Sequence, residues 1–450
     1  MKQTDPVFTH STKKQIEELH RLGWYHSIQL RDGSVIPGLQ SIELLQKRIA
    51  QFPIPQNLTG KRVLDIGAWD GWFSFEMERR GAEVVAVDST EHKKFLVARD
   101  LLGSKVEYVI EDVCRLSSER LGYFDIVLFF GVLYHLKHPL LGLEKVCELA
   151  TDMACIESFV TDDGSDLEAT PRMDFYETSE LRGQFDNWCG PNVACLLAFA
   201  RTAGFPRARL ESVMENRAHV TCFRKWETVL QPPGPAPVLT CVENAVSLNF
   251  DFSSNRDDYI SMWFKTADAN LTVSDVFPQV DEYGSRPVSV RHTGGDGWHL
   301  NCKLPPGLKP GWHYGCLRIR NSDFSNRLRI GIDGVNEPVP ALEQSTGSHL
   351  LEIAIVTDGK TWERNLVHGG IDSWVSLWVR GMPPDARREE TMVRVSGTEL
   401  PAFFLSDTDQ EGQRQINLPL PYGLKPGKYW LTVVQRGSES APAEFELIAQ

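Results

Sequence analysis

Short apolar runs of strand length, separated by longer mixed stretches, set the rhythm of the first half of the chain. Residues 61–67 (KRVLDIG), 82–88 (AEVVAVD), 105–112 (KVEYVIED) and 124–131 (FDIVLFFG) are rich in β-branched side chains. Helix-like stretches lie between them: WFSFEMERRG after the first run, and residues 91–102 after the second. This alternation predicts an α/β layer of parallel strands with helices on both faces.

The pattern changes near residues 231–238, QPPGPAPV. Four prolines between 232 and 237 can continue neither a helix nor a central strand, so the segment reads as a short stiff linker. Beyond it the helical period is gone. Alternating runs such as YISMWFK, HYGCLRIR, WVSLWVR and KYWLTVV recur with turn residues between them, as in an all-β sandwich. This half also repeats itself. GLKPG begins at Gly307 and again at Gly423, and the Trp of SMWFK and of SLWVR fall at 263 and 378. Two anchors offset by 116 and 115 residues predict a duplicated β domain. The expected organisation is 1–230, then β-sandwich copies at 238–335 and 348–450, joined through residues 334–347. Trp263 and Trp378 are expected in the sandwich cores. Tyr429 resembles a tyrosine-corner residue of an immunoglobulin-like sandwich; His313 stands at the matching place in copy one, where the corner is expected to be lost.

Composition narrows the function classes. The 450 residues are 42% hydrophobic and 24% charged, which is ordinary for a folded protein. No stretch of 18 apolar residues predicts a membrane span, and the N-terminus lacks the apolar core of a signal peptide. A cytoplasmic location is expected, with the nine scattered cysteines as reduced thiols. The net charge is −13. Residues 1–230 carry 27 basic and 33 acidic side chains and the remainder 20 and 27, so neither part offers a broad basic surface to nucleic acid.

The sharpest motif is VLDIGAWDG, residues 63–71. A strand ends in Asp65, Gly67 and Gly71 bracket a turn around Ala68 and Trp69, and a helix resumes. The spacing D-x-G-x-x-x-G differs from the dinucleotide fingerprint G-x-G-x-x-G, and no Lys-Ser or Lys-Thr follows as in a P-loop. A close backbone turn at a strand's C-terminal end still makes a ligand crevice, and a helix N-terminus there offers N–H groups to a carboxylate. Asp88, with Ser89, ends the next strand 21 residues after Gly67, where an acid can accept both hydroxyls of a ribose. Asp112, with Val113, ends the third, where a carboxylate can accept from an adenine amino group. An adenosyl group carrying an amino acid, S-adenosylmethionine, fits these places.

VLDIGAWDGWFSF, AVDS, IEDV and FFGVLYHLKHP resemble the core motifs of class I S-adenosylmethionine-dependent methyltransferases. GVLYHLKHP (residues 131–139), WYHSIQLRDGSVIPG (24–38) and NWCGPN (187–192) resemble those of the wobble-uridine tRNA methyltransferases, whose best-known member uses carboxy-S-adenosylmethionine. The resemblance covers residues 15–225. It implies a Rossmann-like fold, with Asp65, Gly67 and Gly71 at the methionine end, Asp88 at the ribose and Asp112 and Val113 at the adenine edge. Gly131 opens the loop that would place Tyr134 near the methyl sulfonium. The Lys- and Trp-rich segment that holds the extra carboxylate in those enzymes has no clear counterpart in IPGLQSIELLQKRIAQF, which points to ordinary S-adenosylmethionine.

Methyl transfer needs alignment above all, and a base only where the acceptor is a hydroxyl. His135 is the first candidate for that base and His26 the second; Tyr134 could face the sulfonium with its ring. Trp24 and Trp188 are candidates for an acceptor pocket, Trp69 for covering the cofactor, and His138 is expected at the surface. No HExxH, cysteine pair or GxSxG elbow suggests metal or acyl chemistry. The expected function is methyl transfer to a small-molecule or glycan-type acceptor, at oxygen. The alternatives are a tRNA wobble-uridine methyltransferase and a non-catalytic binding or scaffold protein keeping the fold. The β repeats are candidates for protein partners, glycan or self-association.

Overall fold

In the computed structural model the four apolar runs become adjacent strands of one sheet. Described residues are 19–228, 234–247, 251–254, 256–334, 351–370, 373–383, 385–396, 398–420, 424–436 and 438–449. Residues 231–233 of the proline segment and 335–347 of the connection between the β copies lie outside them. The chain divides into two units, Met1–Trp226 and Glu227–Gln450.

The first unit is built on β1 (Arg62–Ile66), β2 (Glu83–Asp88), β3 (Glu107–Ile110), β4 (Phe124–Phe130), β5 (Ala150–Phe159), β6 (Arg207–Met214) and β7 (Arg217–Phe223). Their spatial order is β6-β7-β5-β4-β1-β2-β3. The first five run parallel, and β7 lies antiparallel between β5 and β6. Strand alternation splits the core in two. Leu64, Ile66, Val85, Val87, Val127 and Phe129 feed one cluster; Val63, Val84, Ala86, Ile126 and Leu128 feed the other. Both faces are therefore covered, which is why these strands read as continuous apolar runs. Helices α1 (Ile42–Ile49), α2 (Trp72–Arg79) and α3 (Lys93–Leu102) supply Leu45, Met77 and Phe95 to one side. After α4 (Ser118–Leu121), helices α5 (Pro139–Leu149) and α6 (Val193–Ala203) supply Leu143, Val146 and Leu196 to the other. Each such buried side chain stabilises the fold by roughly 1.5–3 kcal/mol. Asp112 lies two residues beyond β3, not at its end, and caps a short 3-10 turn by accepting the Cys114 N–H at 2.8 Å.

The second unit contains two copies of one topology. In the first, β8 (Val238–Asn244), β10 (Tyr259–Lys265), β14 (Gly297–Lys303) and β13 (Pro287–Gly294) form one sheet. The other sheet runs β9 (Asp251–Phe252), β16 (Leu328–Ile332), β15 (Gly311–Ile319), β11 (Val276–Val280) and β12 (Tyr283–Gly284), with β9 and β16 parallel. The second copy repeats this strand for strand. Its four-stranded sheet is β17 (Glu352–Asp358), β19 (Trp374–Arg380), β23 (Gln413–Pro419) and β22 (Phe404–Leu405). Its partner sheet is β18 (Leu366–His368), β25 (Ala443–Ile448), β24 (Gly427–Gln435), β20 (Thr391–Val395) and β21 (Thr398–Pro401), and β18 is again parallel to β25.

Two expectations fail here. Trp263 and Trp378 are not in the cores. Ile260, Met262 and Phe264 of β10, and Val375, Leu377 and Val379 of β19, point inward and are almost fully buried. By alternation the tryptophans stand on the outer faces. Nor is the corner lost in copy one. Tyr429 donates its hydroxyl to Lys425 O at 2.9 Å, and His313 Nε2 meets Lys309 O at 2.7 Å in the same place. His313 Nδ1 also meets Asp281 Oδ2 at 2.6 Å. Burial alone would lower its pKa, but these two acceptors raise it, as an imidazolium donating from both nitrogens requires.

Candidate active site

The C-terminal ends of β1, β2, β4 and β5 meet along one edge of the first unit's sheet, the edge where open α/β sheets place their ligands. The turn after β1 is held tightly. Gly67 and Ala68 donate their N–H groups to Val87 O at 2.8 and 3.2 Å. A Cβ on Gly67, at φ +77°, would overlap the Val132 side chain, and one on Gly71, at φ +91°, would meet Phe75 and Phe95. Trp69 itself is left-handed at φ +51°, a conformation that bulky residues rarely adopt. Its ring is 43% exposed and lies 4.4 Å from the His92 ring and 6.4 Å from Tyr25.

Asp65 and Asp88 are buried beside this turn. Asp88 accepts the N–H of Trp69 at 3.0 Å through Oδ2 and that of Ser89 at 2.8 Å through Oδ1. It is both a candidate ribose acceptor and a strut for the loop. Asp65 accepts the Ser74 hydroxyl at 2.5 Å. Burial lifts its carboxyl to about 7, against the Ser74 bond and helped by the charge of Asp88. Val113 is buried in the core below, and Asp112 is exposed.

Asp70 carries a role that the sequence did not suggest. It is completely buried, and Oδ2 accepts the backbone N–H groups of Tyr25 at 2.6 Å and His26 at 3.1 Å. Lys94 Nζ lies 3.6 Å from Oδ1 and donates to Gly23 O at 2.9 Å. The WYHSI segment is thereby fastened to the glycine turn. His26 is buried with its ring edge-on to Phe73, and burial, with Arg48 and Lys94 near, pushes its pKa down to about 3. It stays neutral near pH 7 and is a weak base. Trp24 belongs to the core and donates to Leu19 O at 2.7 Å, so it does not line an acceptor pocket.

A second buried group, also missed from sequence, lies at the end of β5. Glu157 receives Arg48 Nη2 at 2.6 Å and both Nε and Nη2 of Arg217, the latter at 2.7 Å. Burial alone would raise its carboxyl, yet the two guanidiniums hold it down to about 2. Arg217 Nη1 reaches the Tyr134 hydroxyl at 3.0 Å, and its guanidinium sits over that ring at 4.9 Å. Arg48 Nη1 continues to Gln40 at 2.6 Å, and Gln40 to the Tyr25 hydroxyl at 2.7 Å. Gly131, at φ +73°, donates to Glu157 O at 2.9 Å, and a Cβ there would crowd Arg217 at 3.3 Å. The only sequence signal for this network was Glu157, a lone charge in the apolar run MACIESFV; Arg48 and Arg217 stand in ordinary polar stretches far along the chain.

Tyr134 and His135 sit in a 3-10 turn after β4 with their rings 4.4 Å apart. Burial raises the Tyr134 phenol, which stays protonated. His135 Nδ1 lies 2.9 Å from Asp186 O. A carbonyl only accepts, so Nδ1 carries the hydrogen and Nε2 keeps its lone pair in the neutral ring. Trp188 donates its N–H to Tyr134 O at 2.7 Å, and Lys137 lies over its ring at 4.3 Å. NWCGPN thus packs on the loop after β4. His138 is exposed. A 490 Å³ cleft elsewhere in this unit, lined by Ile28, Arg31, Ile42, Trp72 and Arg79 among others, contains none of these site residues.

Residues 39–194 match the family model described as a methyltransferase domain. The chain is 30% identical over 177 residues to the tRNA U34 carboxymethyltransferase of Pseudomonas paraeruginosa, covering 36% of this chain and 52% of that protein. It is 38% identical over 86 residues to the ubiquinone biosynthesis O-methyltransferase of Bordetella avium, covering 18% of this chain and 35% of the other. The chain thus spans about half the length, or less, of these curated relatives. Among solved structures, the N-terminal domain of EvdMO1 with SAH bound is similar at 19% identity and a TM-score of 0.38, over 49% of this chain and 99% of that one. No helix among the described residues is long and apolar enough to cross a membrane.

Proposed function

We propose that this chain is an S-adenosylmethionine-dependent methyltransferase acting on a hydroxyl of a small-molecule or glycan-type acceptor. The observation that carries the oxygen acceptor is the His135 Nδ1 contact with Asp186 O at 2.9 Å: a ring that donates there turns Nε2 to the acceptor side as the nitrogen able to take a proton. It belongs to the loop after β4, while Asp65, Asp88 and the glycine turn occupy the neighbouring ends of β1 and β2. The methyltransferase domain match over residues 39–194 supports the cofactor. Asp65 and the turn from Gly67 to Gly71 would hold its methionine end, Asp88 and Ser89 its ribose, Asp112 and Val113 its adenine. The cofactor supplies a methyl already activated by its sulfonium. Tyr134 and Trp69 would bound the space around it, and His135 would take the acceptor's proton.

The test is incubation of the full chain with isotopically labelled S-adenosylmethionine and extracts of small metabolites, oligosaccharides and tRNA in parallel. Label in an oxygen-methylated small molecule or sugar is expected. Label confined to tRNA would favour the second reading, that of the tRNA-modifying relatives; the acidic charge of the chain weighs against it.

The two β copies are read as immunoglobulin-like sandwiches at 238–335 and 348–450, after a catalytic domain at 1–230. The repeated strand order and the Tyr429 corner support that reading.

A further inference from the structure

His92 stands just before α3, and its side chain has a place that the helix does not explain. Ser, Thr, Asp and Asn are favoured there because their oxygen accepts a free N–H of the first turn. His92 makes no such cap, and its ring turns back to the end of β2 instead. Its backbone is fixed from the side of β3. The Tyr108 hydroxyl accepts the His92 N–H at 3.1 Å and donates to Thr90 O at 3.2 Å, and the Tyr108 ring stacks on Phe95 at 4.1 Å.

The imidazole so held lies between Asp88 and Trp69. Nε2 is 3.2 Å from Asp88 Oδ1, and the ring centre is 4.4 Å from that of Trp69. Nε2 is buried and has no hydrogen-bond partner, because the contact to Oδ1 falls outside hydrogen-bond geometry. A lone pair facing a carboxylate at that distance would be repelled, so Nε2 carries a hydrogen in the neutral ring and the charged one alike.

Asp88 has acceptor capacity to spare. Oδ2 accepts the Trp69 N–H and Oδ1 that of Ser89. Each carboxylate oxygen can accept about two hydrogen bonds, so a place is left on either one, as a pair of vicinal hydroxyls requires. Both hydroxyls are served only while the carboxylate keeps one rotation. One of its two struts is the N–H of Trp69, whose left-handed backbone is a strained state for a bulky residue. That strut lasts only as long as the conformation does. His92 touches both partners: its N–H faces Oδ1, and its ring lies against the indole.

We infer that His92 is a positioning residue for the cofactor's ribose, holding the Asp88 carboxylate and the Trp69 turn in the arrangement that accepts both hydroxyls at once. This rests on the reading of Asp88 as the ribose acceptor. The N–H attracts Oδ1 and sets the rotation of the carboxylate, while the ring keeps Trp69 from relaxing out of its turn. Groups placed in advance spare the ligand the work of ordering them. Both contacts belong to the ends of β2 and β1, so His92 acts on ribose recognition and not on the acceptor.

The experiment is calorimetric titration of the full chain and its variants with S-adenosylhomocysteine and with the 2′-deoxy analogue of that molecule. The ratio of the two affinities isolates the ribose contact from the rest of the ligand. Wild type is expected to prefer the ribose form about tenfold or more, the effect of a hydroxyl on a charged acceptor. His92→Phe keeps a ring against Trp69 and removes the N–H; its ratio should fall to about threefold or less, with little change in melting temperature. His92→Gln returns an N–H and should recover most of the ratio. A merely structural His92 would lower the melting temperature and both affinities together and leave the ratio as in wild type. That result, or equal ratios in His92→Phe and His92→Gln, overturns the inference. Asp88→Ala separates the two readings. If it loses the ratio while His92→Phe keeps it, Asp88 holds the ribose unaided and only the inference falls. A wild type without preference, or an Asp88→Ala protein that retains it, removes the ribose reading and the inference with it.

Discussion

Asp70 and Tyr25, 45 residues apart, are joined by a 2.6 Å hydrogen bond from the Tyr25 backbone N–H to the buried carboxylate. With the parallel bond from His26, it makes the position of the N-terminal segment depend on one side chain of the glycine turn. Asp70→Ala leaves two N–H groups without their acceptor. A loss of about 2–4 kcal/mol in urea-unfolding stability is expected. Cofactor affinity in calorimetry should fall about tenfold as the segment loosens. Asp70→Asn retains an acceptor oxygen and should recover part of both; equal damage from Asn and Ala would contradict the clamp.

Asp88 has two tasks, and substitution should separate them. Asp88→Ala removes the candidate ribose acceptor and the bond to Trp69 N–H. Affinity for S-adenosylmethionine should weaken by ~1–3 kcal/mol, the effect of lost charged hydrogen bonds. Asp88→Asn can still accept from Trp69 and should keep the turn while binding the ribose less well. Unchanged calorimetric affinity in a folded Asp88→Ala protein would rule out the ribose role.

His135→Ala should lower turnover by ~10²–10⁴-fold if Nε2 takes a hydroxyl proton. Cofactor affinity should barely change. Near wild-type transfer of labelled methyl between pH 6 and 9 would remove the base while leaving the fold assignment intact.

Glu157 and Asp65 should give opposite pH signatures. Glu157 is held below its unfolded value by Arg217 and Arg48, so its stabilisation is present above the ordinary carboxylate range and is lost as pH falls towards about 2. Glu157→Gln strands two buried guanidiniums and should reduce stability by roughly 3–5 kcal/mol at pH 7.

Asp65 is raised to about 7, so the folded state is penalised increasingly as pH climbs from the ordinary carboxylate range to about 7, and evenly above that. Asp65→Asn should melt higher than wild type at pH 8, by a margin on the order of 4 kcal/mol, and the margin should close near pH 4. Parallel melting curves across that range would refute the shift. A ligand ammonium beside Asp65 would offset the penalty, so cofactor binding should release a proton below pH 7, measurable by calorimetry in buffers of different ionisation enthalpy.

The parallel strands and the glycine turn were legible because each signal is local. β1, β2 and β4 are buried on both faces, and Gly67 and Gly71 mark positive φ within a few residues of the strand they follow. Asp70, Glu157 and Arg217 were not, since their meaning lies in partners 45 to 109 residues away. Trp263 and Trp378 misled for a different reason. In SMWFK and SLWVR each Trp shares its side of the strand with a Ser and a Lys or Arg, while Met262 and Phe264, or Leu377 and Val379, take the other; reading the tryptophans as core by their size passed over that alternation. At position 313 the identity changed from Tyr to His but the backbone bond to Lys309 O did not, because a ring N–H can do what a phenol does.

The parallel pairing that closes each β copy also dictates when it can close. Asp251 pairs with Gly331 and Leu366 with Glu446, each 80 residues further on. At ~5–20 residues per second a ribosome needs about 4–16 s to deliver the second partner, during which the first strand waits with an open edge. Because both copies follow one blueprint, the late strand of one could dock in the place meant for its twin. Correct folding of the tandem therefore depends on the order of emergence as well as on the final contacts, and is favoured when the upstream copy closes before its duplicate offers a competing strand.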